Sequence, residues 1–185
     1  MMNGSIANRY AKALFEEAKN QYVDQQIYEH LGVLHASMQS EPDLQISLIN
    51  PRISLERKHT LLLLASGLDP EATTLYSRFL LLLLNNHREN KLRLIIYVYR
   101  DLYRQFHQID LVVFETAVQV DDETLSSLKQ HIMQHTGRNV ECITKVNPNL
   151  LGGFRLRIGD RRYDYSYLHE LEKIRKQFIL NGKPY

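Results

Sequence analysis

The chain has almost none of the residues that build covalent cross-links. Cys142 is the one cysteine among 185 residues, which excludes an internal disulfide and a cysteine-built metal site. The longest apolar run covers residues 79–84, whereas a membrane-spanning helix needs about 20 residues. The net charge is only +2, so no strong field selects nucleic acid or an anionic membrane. The composition therefore predicts a globular protein without direct membrane insertion.

The first residues also lack a targeting signal. MMNGSIANRY has no apolar core of the kind that a secretory signal peptide contains. We therefore expect the protein to stay in the cytoplasm.

Apolar residues at helical spacing predict six helices in residues 1–108. Helix 1, capped by Ser5, carries a stripe of Ile6, Tyr10, Ala13 and Leu14. A second stripe of small residues runs beside it: Ala7, Ala11 and Ala18, followed by Tyr22. The first helix is thus expected to make contacts on two sides.

Cap and breaker residues suggest where the other helices begin and end. Asp24 and Ser54 are predicted N-caps, Pro42 suits the first turn of helix 3, and Gly67 is placed to end helix 4. Helix 5 is expected to start at Pro70. Its FLLLLL segment is apolar all round, which predicts the central, surrounded helix of a bundle. Helix 6 is expected over residues 89–107.

The pattern changes from helical to strand periodicity after Ile109. Val112, Phe114, Thr116, Val118 and Val120 alternate, which predicts a strand. A helix capped by Asp121 or Asp122 and ended by Gly137 follows, then two more strand candidates, NVECITKV and FRLRI, and a last helix capped by Ser166. The predicted fold is an N-terminal all-α six-helix bundle, residues 1–108, with a small C-terminal α+β domain, residues 109–185.

One segment, LLGGFRLRIGDRRYDYS at residues 150–166, raises the question of a phosphate-binding loop. Such a loop needs glycines that lead from a strand into a helix N-terminus. Here Gly152 and Gly153 precede a strand pattern, which favours a bend where two backbones pass closely. Gly159 and Asp160 have the pattern of a hairpin turn.

No catalytic, cofactor-binding or metal-binding motif emerges from the sequence. His131 and His135 have the i, i+4 spacing of a zinc pair, but HIMQH lacks the glutamate that a zincin requires, and a surface pair is favoured. Cys142 alternates with Val140 in a strand, as a small buried side chain would. We therefore expect a non-catalytic protein without a cofactor.

Basic residues of the hairpin pose the alternative of a nucleic-acid surface. The basic residues are Arg155, Arg157, Arg161 and Arg162. Asp160 and Asp164 interleave with them, which favours a solvated hairpin face over a nucleic-acid surface. Tyrosines on the helices, including Tyr10, fit either core packing or an interface with a partner helix.

The order and spacing of these segments resemble a known family. SIANRYAKALFEEA near the start, NPRIS before a helix, the leucine-rich fifth helix and LLGGFRLRIGDRRYDYS before a basic amphipathic helix are all present. Together they resemble the delta subunit of bacterial F-type ATP synthase, the family of the mitochondrial oligomycin-sensitivity-conferring protein. The resemblance covers essentially the whole chain.

The resemblance implies a stator subunit that ties the catalytic head of the synthase to its peripheral stalk. It implies that residues 1–108 bind the N-terminal helix of an alpha subunit in a groove between helices 1 and 5, formed by Ile6, Tyr10, Ala13, Leu14, Tyr76, Phe79 and Leu83. It implies that residues 109–185 bind the C-terminal end of the b subunits, through stalk-binding or structural residues Gly152, Gly153, Gly159, Asp160, Asp164, Ser166, Tyr167, Leu171, Ile174 and Phe178.

The same resemblance implies a peripheral location on the cytoplasmic face of the bacterial inner membrane, reached through the complex. Tyr165 and Tyr167 depart from the family pattern, which commonly has a small and an aliphatic residue at these positions. Two alternatives remain. A general two-domain adaptor or scaffold shares the physical features of the chain, and a small RNA-binding protein rests on the basic hairpin. The low net charge speaks against RNA.

Overall fold

A computed structural model of the protein describes residues 2–69 and 74–181, with side chains for residues 6–69 and 74–179. The chain divides into two compact units, the first ending at Phe106 and the second beginning at His107. The first unit is helical and the second combines a sheet with helices, so the predicted fold class is confirmed.

The first unit contains six α-helices within the described residues. A short 3₁₀ turn, Glu89–Lys91, leads directly into the sixth helix. The bounds are α1 Met2–Asn20, α2 Asp24–Ser40, α3 Pro42–Ile49, α4 Leu55–Ala65, α5 Leu75–Asn85 and α6 Leu92–Phe106.

Several helix starts differ from the sequence-based expectation. α1 begins at Met2, ahead of Ser5, and Asp24 is the first helical residue of α2 and no side chain caps that helix. The predicted start of helix 5 at Pro70 lies outside the described residues. α5 begins at Leu75, where the Thr74 hydroxyl accepts a hydrogen bond from the backbone N–H of Ser77. Ser54 caps α4 as predicted.

Among the described helices of the first unit, α1, α4 and α5 end in the same left-handed turn, and of these α4 alone uses glycine. After α4, the N–H of Gly67 donates to the Leu64 carbonyl and that of Leu68 to the Leu63 carbonyl, with Gly67 at φ +72°. The equivalent residue after α1 is Tyr22, at φ +58°, and after α5 it is His87, at φ +52°. A Cβ atom is strained in this conformation, so both positions store unfavourable backbone energy.

Aromatic contacts hold α1 and α2 against α6. Phe15 of α1 packs edge-on against Tyr99 and Phe106, at ring-centroid distances of 5.6 and 5.8 Å. Tyr28 of α2 stacks on Tyr103 at 4.1 Å. The alanine stripe of α1, Ala7, Ala11 and Ala18, is completely buried. Most of these tyrosines and alanines therefore belong to the core.

The expectation that α5 is the central, surrounded helix was wrong. Its buried residues occupy one face, while Leu82 is 51% exposed and Leu81 is 37% exposed. The helix packs against α4, while Leu81 and Leu82 lie on a face that is open to solvent. A run of leucines signals apolar surface but does not reveal whether that surface is covered within the chain.

As far as residue 181, where the described part ends, the second unit is a four-stranded mixed sheet with two α-helices. β1 pairs in parallel with β2 and antiparallel with β3, and β3 pairs antiparallel with β4, which gives the order β2-β1-β3-β4. The bounds are β1 Ile109–Thr116, α7 Asp122–Thr136, β2 Asn139–Val146, β3 Gly153–Ile158, β4 Arg161–Ser166 and α8 Tyr167–Asn181.

The first strand is shorter than its alternating pattern suggested. It ends at Thr116, whose hydroxyl donates to the Val118 carbonyl at 2.7 Å and diverts the backbone from the sheet. Val118 is consequently 71% exposed. Asp121 then caps α7 by accepting from the Thr124 N–H, and Gly137 ends that helix in the left-handed conformation, as predicted.

The two faces of the sheet differ in polarity, as the alternation in FRLRI predicted. Phe154 contacts Phe114 and Tyr165, at centroid distances of 5.4 and 5.3 Å. Arg155 and Arg157 are on the other face, since successive side chains of a strand point to opposite sides. Gly159 and Asp160 connect β3 to β4, with Gly159 at φ +55° at the first turn position.

Replacing the strained residue after α5 tests this account of the helix ends. We expect His87→Gly to raise the free energy of unfolding by roughly 1 kcal/mol, because glycine adopts φ +52° without a Cβ clash. Urea denaturation followed by circular dichroism measures the change. Asn85→Gly, two residues earlier and helical, is the control and should not stabilise the protein.

Candidate functional site

An apolar groove runs between α1 and α5. The cavity in it has a volume of about 260 Å³ and is lined by residues of both helices. Tyr10 and Phe79 meet edge-on across it, with ring centroids 6.5 Å apart. The lining residues are Tyr10, Ala13, Leu14, Glu17, Leu75, Arg78, Phe79 and Leu82.

Four of the seven residues expected in this groove line it, and three do not. Tyr10, Ala13, Leu14 and Phe79 line the cavity. Tyr76 and Leu83, expected in the wall, are 1% and 0% exposed and belong to the core beneath it. Ile6 is half-buried on the same face of α1 but does not line the cavity.

Tyr76 is held in the core by its hydroxyl group, which lies 2.7 Å from Ser66 Oγ. Burial strongly raises the pKa of this phenol, and the hydrogen bond with Ser66 opposes the shift only in part. A neutral, hydrogen-bonded tyrosine of this kind stabilises the helix packing and is not accessible to a partner.

The groove also contains residues that the sequence reasoning missed. Leu75, Arg78 and Leu82 follow one another along α5 at spacings of three and four, and Glu17 continues the α1 stripe beyond Ala13 and Leu14. The helical repeat could have identified them, because residues at this spacing share a helix face. Arg78 and Glu17 place charge at the rim of an otherwise apolar surface.

The paired glycines in the second unit are explained by packing. A Cβ on Gly153 would collide with the Tyr165 carbonyl oxygen, and its φ of +70° also requires glycine. A Cβ on Gly152 would collide with the Tyr167 ring. The Tyr167 N–H donates to the Gly152 carbonyl at 3.1 Å. The glycines therefore let the start of β3 pass closely by the junction between β4 and α8.

Asp164 and Ser166 connect the sheet to the last helix. Ser166 is completely buried, and its hydroxyl donates to Asp164 Oδ1 at 2.6 Å while accepting from the His169 N–H at 3.2 Å. The other carboxylate oxygen, Oδ2, accepts from Arg155 Nε at 2.8 Å, and Arg155 Nη1 donates to Glu115 at 2.9 Å. A continuous polar chain thus runs from β1 through β3 and β4 to the first turn of α8.

The hydrogen bonds and charges around Asp164 favour its ionised form. Burial alone would raise the pKa of Asp164, but hydrogen bonds from Ser166 and Arg155, together with the positive charge of Arg155, outweigh it. The pKa therefore lies well below the usual range for an aspartate. Ser166 caps α8 directly, as predicted, and Asp164 acts by holding the serine.

The last helix exposes an apolar stripe. Tyr167, Leu171, Ile174 and Phe178 follow one another at spacings of four, three and four, and between 46% and 75% of each side chain is exposed. Ile179 adds a further exposed aliphatic residue. A stripe of this kind on a monomer is typical of a surface that binds another protein.

The described residues contain neither a candidate metal site nor a candidate membrane-spanning helix. No group of three or more His, Cys, Asp and Glu side chains there is arranged to hold a metal ion. In the same part of the chain, no helix has both the length and the apolarity needed to cross a bilayer.

Known proteins match the chain over nearly its full length. The family described as ATP synthase delta (OSCP) subunit matches residues 6–178. The chain belongs to this family. The ATP synthase subunit delta of Parabacteroides distasonis is 43% identical over 96% of this chain and 98% of its own length. That of Bacteroides thetaiotaomicron is 34% identical over 95% of each chain.

The fold of the delta (OSCP) family is also evident in a solved structure. A chain of the Toxoplasma gondii mitochondrial ATP synthase hexamer superposes with a TM-score of 0.71, over 97% of this chain and 98% of its own, at 18% identity. The expected family membership is confirmed, and with it the role of a structural, peripheral-stalk subunit of an F-type ATP synthase, a membrane-associated complex.

Removing the carboxylate of Asp164 tests the polar chain. We expect Asp164→Asn to lower the free energy of unfolding by roughly 1–3 kcal/mol at neutral pH, because Arg155 and Ser166 lose a charged acceptor. The folded-state pKa is depressed, so the stabilisation is present above the unfolded-state pKa of about 4 and is lost as the pH falls below it. The deficit of the variant should therefore shrink in acid.

Urea denaturation at neutral pH and at about pH 3 measures both effects. Asp160→Asn, in the exposed hairpin turn, is the control and should change stability by less than about 0.5 kcal/mol. A deficit for Asp164→Asn that is equal at both pH values would contradict the assignment.

Proposed function

We propose that the protein links the catalytic head to the peripheral stalk through the two apolar surfaces, without catalysis of its own. The groove between α1 and α5 binds the N-terminal helix of an alpha subunit. The exposed stripe of α8 binds the C-terminal end of the b subunits. Through these contacts the protein lies on the cytoplasmic face of the bacterial plasma membrane. The separation of the two surfaces into two units supports this assignment, since each partner then has a surface of its own.

The shape of the groove supports a helix as its occupant. Leu82 is 51% exposed at one wall and Ala13 is exposed at the other, while Phe79 forms part of the floor. A groove with apolar walls and charged rim residues suits an amphipathic helix with its apolar face inward. This open apolar groove is the observation that carries the proposal.

The energy required is within reach of such a surface. A dissociation constant of 1 nM corresponds to about 12 kcal/mol. A few buried anchors usually supply most of the binding energy in an interface, and aromatic residues such as Tyr10 are frequent among them. A stator contact that survives continuous rotation therefore does not need a large interface, only a few well-buried side chains.

The groove is tested by placing a charged side chain in it. We expect Ala13→Lys to weaken binding of an alpha-subunit N-terminal peptide at least about tenfold, because the lysine occupies the groove and must be desolvated. Calorimetric titration of the full chain measures the affinity. Leu14 is only 3% exposed, so a charge there would destabilise the bundle and would not test binding.

Ala36→Lys is the matched control for this experiment. Ala36 is exposed on α2 and does not line the groove, so the same substitution there should leave the peptide affinity unchanged. Equal affinities for the Ala13→Lys and Ala36→Lys variants, both folded by circular dichroism, would reject the groove as the alpha-subunit site.

The stalk surface is tested in the same way. We expect Phe178→Asn to weaken binding to the soluble C-terminal part of the b subunit by at least about tenfold, since a buried aromatic anchor would be lost. Lys176→Asn, on the opposite side of α8, should have little effect. The b-subunit affinity can be measured by calorimetry, and an unchanged value for Phe178→Asn would contradict the assignment.

A further inference from the structure

The sheet of the second unit has one strongly charged face, here called the charged face. Glu115 of β1 lies opposite Lys145 of β2 and Arg155 of β3, and Arg155 lies opposite Asp164 of β4. One row further along, Arg157 lies opposite Arg162. Because side chains alternate along a strand, all six residues are on the same side of the sheet.

The carboxylates of the charged face are already paired, but two of its cations are not. Arg155 bridges Glu115 and Asp164, and Arg162 adds a longer contact of 3.4 Å to Asp164. The side chains of Arg157 and Lys145 form no ion pair or hydrogen bond with any residue in the described part of the chain. Positive charge is therefore available at this end of the face.

Two cavities turn this face into a cleft that reaches α8. The first, of about 220 Å³, is lined by Val113, Glu115, Lys145, Arg155, Arg157 and Arg162. The second, of about 600 Å³, is lined by Arg155, Arg162, Asp164, Leu168, His169 and Glu172. Arg155 and Arg162 line both, so the two cavities adjoin and together extend from Lys145 to the first turns of α8.

We propose that this cleft binds an acidic segment of the same stalk subunit that packs on α8. The inference rests on the proposed function of α8 and extends it to the sheet. Its support is continuity, because the cleft ends at Leu168 and Glu172, beside the apolar stripe that begins at Tyr167 and Leu171. The cations Arg157 and Lys145 lie at the far end, where they complement carboxylates of the partner.

The distribution of charge favours an acidic polypeptide over a nucleic acid. Nucleic acid carries a negative charge at every nucleotide, and Glu115, Asp164 and Glu172 along the cleft would repel it. A polypeptide can place carboxylates only where Arg157 and Lys145 lie and polar or apolar residues elsewhere. Such contacts chiefly set the rate of association and its dependence on salt.

Charge reversal at Arg157 tests the inference on the full-length chain. We expect Arg157→Glu to weaken binding of the soluble C-terminal part of the b subunit by about 3- to 10-fold at low salt, because attraction is replaced by repulsion. The effect should be much smaller at about 500 mM salt, where exposed charges are screened. Lys145→Gln should reduce the affinity by a smaller factor.

Arg161→Glu is the matched control. Arg161 lies opposite Ile158, on the other face of the sheet, and carries the same charge in the same hairpin. The affinity of this variant should equal that of the unmodified protein. Equal affinities for Arg157→Glu and Arg161→Glu would overturn the inference. Binding of a single-stranded oligonucleotide that Arg157→Glu abolishes, with b-subunit binding unchanged, would also overturn it.

The Phe178→Asn variant distinguishes a failure of the cleft inference from a failure of the proposed function. If Phe178→Asn abolishes b-subunit binding while Arg157→Glu has no effect, α8 is the stalk surface and the cleft is not part of it. If neither substitution changes the affinity, the assignment of the second unit to the stalk is wrong as well.

Discussion

Three helices, α1, α5 and α8, carry more apolar surface than the unit in which each lies can cover. α1 buries its alanine stripe in the bundle, while Tyr10 and Ala13 on its other side line an open groove. α8 exposes its entire apolar stripe. Apolar surface that remains in water is a standing unfavourable term, and its burial against a partner provides the driving force for association. The proposed contacts with the head and the stalk depend on this surplus.

The two units hold their surfaces in place by different means. In the first, aromatic contacts such as those of Phe15 and Tyr28 fix α1 and α2 on α6, and α1 forms one wall of the groove. In the second, a polar chain from Glu115 through Arg155 and Asp164 to Ser166 fixes the first turn of α8 relative to the sheet. Because α8 is largely exposed, core packing contributes little to its position, and the hydrogen-bonded cap at Ser166 fixes its first turn.

Most of the elements could be anticipated because their signals are local. Ser54, Asp121, Gly137 and Ser166 all act as expected, since a cap depends only on the few residues around it. The left-handed turns after α1 and α5 could not be anticipated, because Tyr22 and His87 occupy the position at which glycine usually signals such a turn. The leucines of α5 led to the wrong expectation of a central, surrounded helix for another reason. Hydrophobicity indicates a tendency to be buried, but it does not indicate whether the covering surface belongs to the same chain or to a partner.

The sequence alone determined the fold class and the helical stripes, because periodicity and turn residues report on the local backbone. The family followed from the resemblance of its motifs, in order and spacing, to a known family. Only the tertiary structure decided which apolar residues remain for a partner. Leu83 is as apolar as Leu82 and lies next to it in the chain, but the packing of α5 buries Leu83 and leaves Leu82 exposed at the groove. Arg155 likewise pairs with Glu115 and Asp164, which are 49 positions apart in the sequence, only because β1, β3 and β4 are in register.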